Sequence, residues 1–231
     1  MPELRIAAGD GGEFAAYLSL PRGTSGKAPG IIMMQQIFGV NAEMRQFTDD
    51  FAAQGYVAIC PDLFWRIEPG VQLAPTTPDG FKAALGYAQR FDHAKAVNDL
   101  NATLAFLRAH PLCNGKVGTV GYCLGGLLAF LMAAHSDAQC NVGYFGVGIE
   151  KHIADAATVS HPLLLHIPEK DRHVPPAAQA IVKAALKDRA ELYLYPNADH
   201  AFNRVGAPSY NAEATALADD RTVSFLKRHL R

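Results

Sequence analysis

The stretch Lys116-Val117-Gly118-Thr119-Val120-Gly121-Tyr122-Cys123-Leu124-Gly125-Gly126 reads as a strand that turns at once into a helix, with a cysteine at the bend. Gly121 and Gly125 flank Cys123 in a G-x-C-x-G spacing, which lets a strained turn push one side chain out at the end of a parallel strand. Lacking a Cβ, the two glycines permit the close approach of strand and helix that such a turn demands. The thiol then sits at a helix N-terminus, where the macrodipole and the unbonded N–H groups favour a thiolate. This segment thus supplies a candidate nucleophile, a reason for its activation and, in the amide of Leu124, half of an oxyanion site.

Outward from this bend, strands and helices alternate. Phe14–Leu20 reads as an early strand ended by Pro21, and Gly30–Met34 as a short apolar run typical of a buried parallel strand. A helix is expected over Asn41–Gln54, with Asn41 as N-cap and Gly55 as terminator, then a strand over Tyr56–Cys60 that stops at Pro61. Residues 63–80 hold proline, glycine and threonine and read as a long loop, part of a cap over the site. Asp92–Ala109 has apolar residues at helical spacing; Val117–Gly121 is a strand and a helix runs on to about His135. Val142–Gly146, Pro162–Ile167 and Glu191–Tyr195 read as strands, Pro176–Leu186 and Ala212–His229 as helices. This rhythm predicts a mostly parallel sheet with helices on both faces, an α/β fold in a single domain over residues 1–231.

With 231 residues and 49% hydrophobic content, the chain can bury a sizeable core as one domain. Its 21 basic and 22 acidic residues leave a net charge of −1, which advertises neither nucleic acid nor an anionic membrane as partner. Met1-Pro2-Glu3-Leu4-Arg5-Ile6 lacks the basic stretch and apolar run of a secretory signal, and no segment approaches the ~20 apolar residues of a membrane span. A cytoplasmic, monomeric enzyme acting on a small molecule is the expectation. Cys60, Cys113, Cys123 and Cys140 form no C-x-x-C pair, so neither a structural zinc site nor a disulfide framework is expected. Cys60 closes an apolar strand and reads as a small buried hydrophobe.

A cysteine nucleophile needs a base, and the base an orienting acid. In hydrolases built on a strand-turn-helix bend the chain order is nucleophile, acid, histidine, with the last two on loops after late strands. Asp171 follows the Pro162–Ile167 strand and His200 follows Glu191–Tyr195, so the candidate triad is Cys123, His200 and Asp171. His173 is the rival base and Asp199 the rival acid. Closeness to Asp171 argues against the first, adjacency to His200 against the second. The second oxyanion donor usually comes from a loop after an early strand, here Gln35-Gln36-Ile37-Phe38-Gly39, and the Ile37 amide is the choice.

Together these residues resemble the dienelactone hydrolases (carboxymethylenebutenolidases) over nearly the whole chain. Ile37-Phe38-Gly39-Val40-Asn41, Cys60-Pro61-Asp62-Leu63, Asn114-Gly115-Lys116-Val117-Gly118, Gly121-Tyr122-Cys123-Leu124-Gly125-Gly126 and Tyr144-Phe145-Gly146-Val147-Gly148 all look like family blocks. The resemblance implies an α/β-hydrolase fold without metal or cofactor, and a Cys-His-Asp triad on Cys123, His200 and Asp171. It also implies opening of the dienelactone ring to maleylacetate, a step of bacterial chloroaromatic catabolism. Two positions depart from the family pattern. Gln36 stands where the family has a glutamate that holds the resting thiol neutral, and an amide cannot accept that proton. Phe81 stands opposite one of two arginines that bind the substrate carboxylate, with Lys82 adjacent, while the other arginine is kept as Arg204. Tyr144 and Phe202 join Gln36 and Phe38 as candidate pocket residues. A broader cysteine esterase or thioesterase is the alternative, and a non-catalytic binding or thiol-redox protein the third reading.

Overall fold

The computed structural model describes residues 4–23 and 26–230. These fall into two compact units, one ending at Thr119 and the other beginning at Val120.

The first unit contains β1 (Leu4–Ala7), β2 (Glu13–Ser19), β3 (Ala28–Met34), α1 (Ala42–Ala53), β4 (Val57–Pro61), α2 (Pro78–Arg90) and α3 (His93–Ala109), and it leads into β5 (Cys113–Tyr122). Its strand order is β1-β2-β4-β3-β5. β2 pairs antiparallel with β1 and β4, whereas β3 and β4 are parallel with Ile31 opposite Ala58. Ile31, Ile32, Met33, Met34, Val57 and Ile59 are all fully buried, as the unbroken apolar runs of strands covered on both faces require. α1 starts where Asn41 accepts the Met44 N–H (3.1 Å), and α3 where Asp92 accepts the Lys95 N–H (3.0 Å).

Two elements of this unit differ from the sequence expectation. Part of the stretch read as loop over 63–80 is the start of α2: Thr77 caps the Gly80 N–H at 3.1 Å and Pro78 takes the first helical position. Proline and glycine therefore mark a helix start here rather than irregular chain. The remaining loop is fastened by Asp62, which accepts the N–H groups of Phe64 (3.0 Å) and Gly70 (2.7 Å). β1 was not expected. It is four residues long with a single buried side chain, too short to carry a periodic signal.

The second unit takes over β5 near its end and adds α4 (Leu124–His135), β6 (Asn141–Tyr144), a 3-10 stretch (Ile149–Thr158), β7 (Leu163–Pro168), α5 (Pro176–Leu186), β8 (Glu191–Tyr195) and α6 (Ala212–Leu230). Its order is β5-β6-β7-β8, with β6, β7 and β8 mutually parallel in sequence. Residues 124–133 of α4 are buried on every side, which makes it a core helix rather than an amphipathic one. β6 ends at Tyr144, two residues short of the expected strand, because Phe145 takes a left-handed φ of +40°. Among the described residues no helix is long and apolar enough to cross a membrane.

Candidate active site

Cys123 sits between β5 and α4 with φ +56° and ψ −109°, a conformation that costs a non-glycine residue about 1–3 kcal/mol. The fold holds it there from both sides. Its N–H donates to the Tyr144 carbonyl (3.0 Å), and its own carbonyl accepts the N–H groups of Gly126 (3.0 Å) and Leu127 (3.2 Å). A Cβ on Gly121 would lie 2.1 Å from the Gly125 carbonyl oxygen, so only glycine fits. Gly126 is needed as well, since a Cβ there would approach the Tyr144 oxygen to 2.6 Å.

The Cys123 side chain stays at the edge of burial, at 9% exposure. Cys60 and Cys140 are fully enclosed, and burial pushes both thiols up, that of Cys140 to about 12. These two are inert core residues. Leu124 occupies the first position of α4, where its N–H has no acceptor within the helix and lies beside the Cys123 bend.

Asp171 lies just beyond β7 and His200 just beyond β8, parallel neighbours whose ends deliver both loops to one place. The Asp171 Oδ2 and the His200 Nδ1 are 2.8 Å apart, with the carboxylate 1% and the imidazole 13% exposed. The other carboxylate oxygen accepts the N–H of His173 at 2.7 Å. From α5, Gln179 donates to the carbonyls of Val174 (2.8 Å) and Pro168 (3.2 Å) and so pins the acid loop. Burial pulls the His200 imidazole down, but hydrogen bonds to Asp171 and Cys123, and their charges, outweigh it and raise the group to about 9. Because Nδ1 is taken by Asp171, Nε2 is the ring nitrogen left for the Cys123 sulfur. The imidazole therefore holds its proton at neutral pH, facing the Cys123 sulfur.

Two rings brace that imidazole edge-on: Phe145 at 4.9 Å and His173 at 4.7 Å between centroids. His173 is thus a neighbour of the histidine rather than a second base on the sulfur. Burial, and then the His200 charge, lower it from the ordinary histidine value. Phe145 carries no sequence signal for this role, since it reads as one more strand residue. The rival acid is engaged elsewhere: Asp199 accepts the backbone N–H of His200 at 2.6 Å and pairs with Arg172.

Tyr144 and Phe202, expected as pocket residues, are enclosed in the core of this unit. The Tyr144 hydroxyl shares a hydrogen bond with Thr222 (2.7 Å) and donates to Asp219 (3.2 Å), and Phe202 stacks on Tyr195 at 5.1 Å. The ring of Tyr144 points toward α6, so its contribution is to packing. Arg204 is half-buried, four residues past His200, with its N–H on the Ala201 carbonyl (2.9 Å). A cavity of 20 Å³ behind Asp171, lined by Leu165, Ile167, Val174 and Val182, has room for about one water and none for a substrate.

The remaining expected site residues belong to the first unit. Ile37 and Phe38 form the turn after β3, closed by Gly39 at φ +73°, where a Cβ would strike the Val71 carbonyl oxygen at 1.8 Å. Only glycine fits this turn, which distinguishes it from an ordinary surface bend. Gln36 is buried and donates from Nε2 to Glu43 at 3.0 Å. Phe81 and Lys82 lie on the exposed face of α2, and the Phe81 ring packs on Phe38 at 6.3 Å between centroids.

Comparison with known proteins places the chain in a family. The family model described as "Dienelactone hydrolase family" matches residues 14–230. A carboxymethylenebutenolidase of Pseudomonas sp. strain P51 is 39% identical, covering 97% of this chain and 94% of its own. One from Pseudomonas putida is 41% identical, covering 96% and 94%. Among solved structures, a Klebsiella pneumoniae protein assigned to the dienelactone hydrolases superposes with a TM-score of 0.85 at 26% identity, over 98% of this chain and 97% of that one. A dienelactone hydrolase-like promiscuous phosphotriesterase from metagenomic libraries shares the fold, with a TM-score of 0.78 at 20% identity over 99% and 98%. The chain has the α/β-hydrolase fold and belongs to the dienelactone hydrolase family, hydrolases of ester and lactone bonds.

Proposed function

We propose that this chain is a cysteine-dependent hydrolase that opens the lactone ring of dienelactone to maleylacetate, in the cytoplasm and within chloroaromatic catabolism. The observation that carries the reading is the His200 imidazole, bonded to Asp171 at 2.8 Å and held protonated to about 9 beside the Cys123 sulfur. The name carboxymethylenebutenolidase, carried by both Pseudomonas relatives, supports the substrate. Four free thiols fit a reducing compartment.

In this mechanism the Cys123 thiolate attacks the lactone carbonyl carbon, and the oxyanion is held by the amide of Leu124, with the Ile37 amide, from the loop after an early strand, as the expected second donor. The ring C–O bond breaks and the leaving oxygen departs as an enolate, protonated by the His200 imidazolium. Neutral His200 then takes a proton from water, whose oxygen attacks the thioester, and the acid leaves as Cys123 recovers its thiolate. With Gln36 unable to take up the thiol proton as a glutamate would, the ion pair stands ready before substrate arrives.

One observation favours a broader esterase as second reading. Phe81, 38% exposed and packed on Phe38, stands where the family resemblance places a carboxylate-binding arginine. An aromatic surface there suits a neutral acyl or aryl group better than an anion. The two readings separate on kcat/KM for cis- and trans-dienelactone against a neutral aryl ester, with Cys123→Ala as control. Preference for the lactone with loss of turnover in the control supports the first reading; preference for the aryl ester supports the second. Full turnover without Cys123 refutes both.

A further inference from the structure

We propose that Arg172 and Asp199 form a latch between the acid loop and the histidine loop, and that both are positioning residues for the His200 imidazole. This rests on the thiol-hydrolase reading above and adds to it two residues that act through the His200 imidazole.

The two loops hold each other reciprocally. Asp171 of the acid loop grips the side chain of His200, while Asp199 of the histidine loop grips the main chain of both. Asp199 Oδ1 accepts the N–H of His200 at 2.6 Å and that of Arg172 at 3.2 Å. Its Oδ2 accepts from the Arg172 Nε at 3.0 Å and also from Nη2, a forked contact that fixes orientation as well as distance. The next residue, Ala201, has a left-handed φ of +57°, so the His200 backbone is held in place between a carboxylate on one side and a strained residue on the other. Lower rungs complete the junction: the Lys170 N–H on the Ala198 carbonyl at 3.0 Å, and the Lys170 Nζ on the Asn197 Oδ1 at 3.2 Å.

The latch is at the surface, with the Arg172 side chain 66% exposed. An exposed ion pair adds little to global stability. What it does add is the placement of a ring that must meet Asp171 on one edge and Cys123 on the other, where an error of about 1 Å can cost about a hundredfold in rate. The charged or titratable groups facing the junction are Lys170, Asp171, Arg172, His173, Asp199 and His200. The Asp199 carboxylate is opposed by burial, yet the Arg172 side chain and the two backbone N–H groups bring it down to about 2, so the latch stays charged throughout the working range.

The test compares Asp199→Ala, Asp199→Asn, Arg172→Ala and Arg172→Lys with the parent chain. Four readouts are needed: kcat and KM on a neutral aryl ester, the pH dependence of iodoacetamide alkylation of Cys123, the His200 ring titration by NMR, and Tm. Asp199→Ala should lower kcat about thirtyfold with KM within about twofold, slow alkylation at pH 7 and lower the His200 midpoint. Asp199→Asn and Arg172→Ala, which keep one half of the latch, should each lose about fivefold, and Arg172→Lys should recover part of that loss. Tm should stay within a few degrees. The latch is refuted if Asp199→Ala and Arg172→Ala both keep kcat within about twofold, or if their losses simply follow a fall in Tm. Should Cys123→Ala retain turnover, the hydrolase reading fails by itself, and an unchanged His200 midpoint in Asp199→Ala still overturns the latch.

Discussion

Replacing Asp171 by asparagine removes the charge beside the His200 Nδ1 and leaves a side chain of nearly the same size. The hydrogen bond at 2.8 Å and the carboxylate charge act against burial to carry the imidazole from 6.5 to about 9. That interval corresponds to about 3 kcal/mol of preference for the protonated ring, shared between Asp171 and Cys123. In Asp171→Asn the burial remains and the largest single favourable contact is gone, so the midpoint should fall clearly below that of the parent. The sign on stability follows from linkage. A folded value above the unfolded one stabilises the fold fully below about pH 6.5, and this contribution is lost as pH rises through about 9. The stability gap between the parent and the variant should therefore be widest near pH 6 and narrow toward pH 10. NMR titration of the His200 ring protons reads the midpoint, and urea unfolding at several pH values reads the gap. Turnover should drop by about a thousandfold or more, because the ring loses both its tautomer and its orientation. A midpoint that stays near 9, with kcat within about tenfold of the parent, would show that Asp171 does not set the charge on this histidine.

Gly121→Ala places a Cβ 2.1 Å from the Gly125 carbonyl oxygen, so the bend must open; a loss of about 3 kcal/mol or more is expected in denaturant unfolding, and a loss under about 1 kcal/mol would contradict the tight turn. His166, buried between the Tyr195 hydroxyl (2.7 Å) and Thr222 (2.9 Å), is kept well below the ordinary histidine value by burial. Its folded form refuses a proton that the unfolded chain takes below about pH 6.5, so it should contribute a fall of about 1.4 kcal/mol in stability per pH unit on acidification, absent in His166→Gln. Arg204→Ala should raise KM for dienelactone and leave a neutral aryl ester unaffected; equal damage to both substrates would remove its role as a carboxylate clamp.

Much of the fold could be read locally. The G-x-C-x-G spacing around Cys123 forecasts the bend because steric exclusion at Gly121 is a property of neighbouring residues, and Asn41 and Gly55 mark helix ends by chemistry confined to one turn. The His200 ring nitrogen meets Asp171 rather than Asp199 because β7 and β8 are parallel neighbours, an arrangement the strand-helix rhythm implies. Where the reading stopped short, the cause was a signal with two meanings or a contact between distant residues. Pro78 and Gly80 read as loop but open α2, since proline suits a first helical turn as well as a bend. Phe145 reads as a strand residue, yet its positive φ ends β6 and turns its ring onto His200. The Arg172–Asp199 pair joins residues 27 apart and leaves no periodicity in the chain. Tyr144 looks like a pocket aromatic, and only the contacts of its hydroxyl with α6 reveal a packing role.

Intact mass spectrometry of the enzyme quenched during turnover, followed by peptide mapping, bears most directly on the chemistry of Cys123. An adduct of substrate mass on the peptide carrying Cys123, lost in Cys123→Ala together with turnover, is the expected result. Undiminished hydrolysis by Cys123→Ala, or an adduct on another residue, would contradict it.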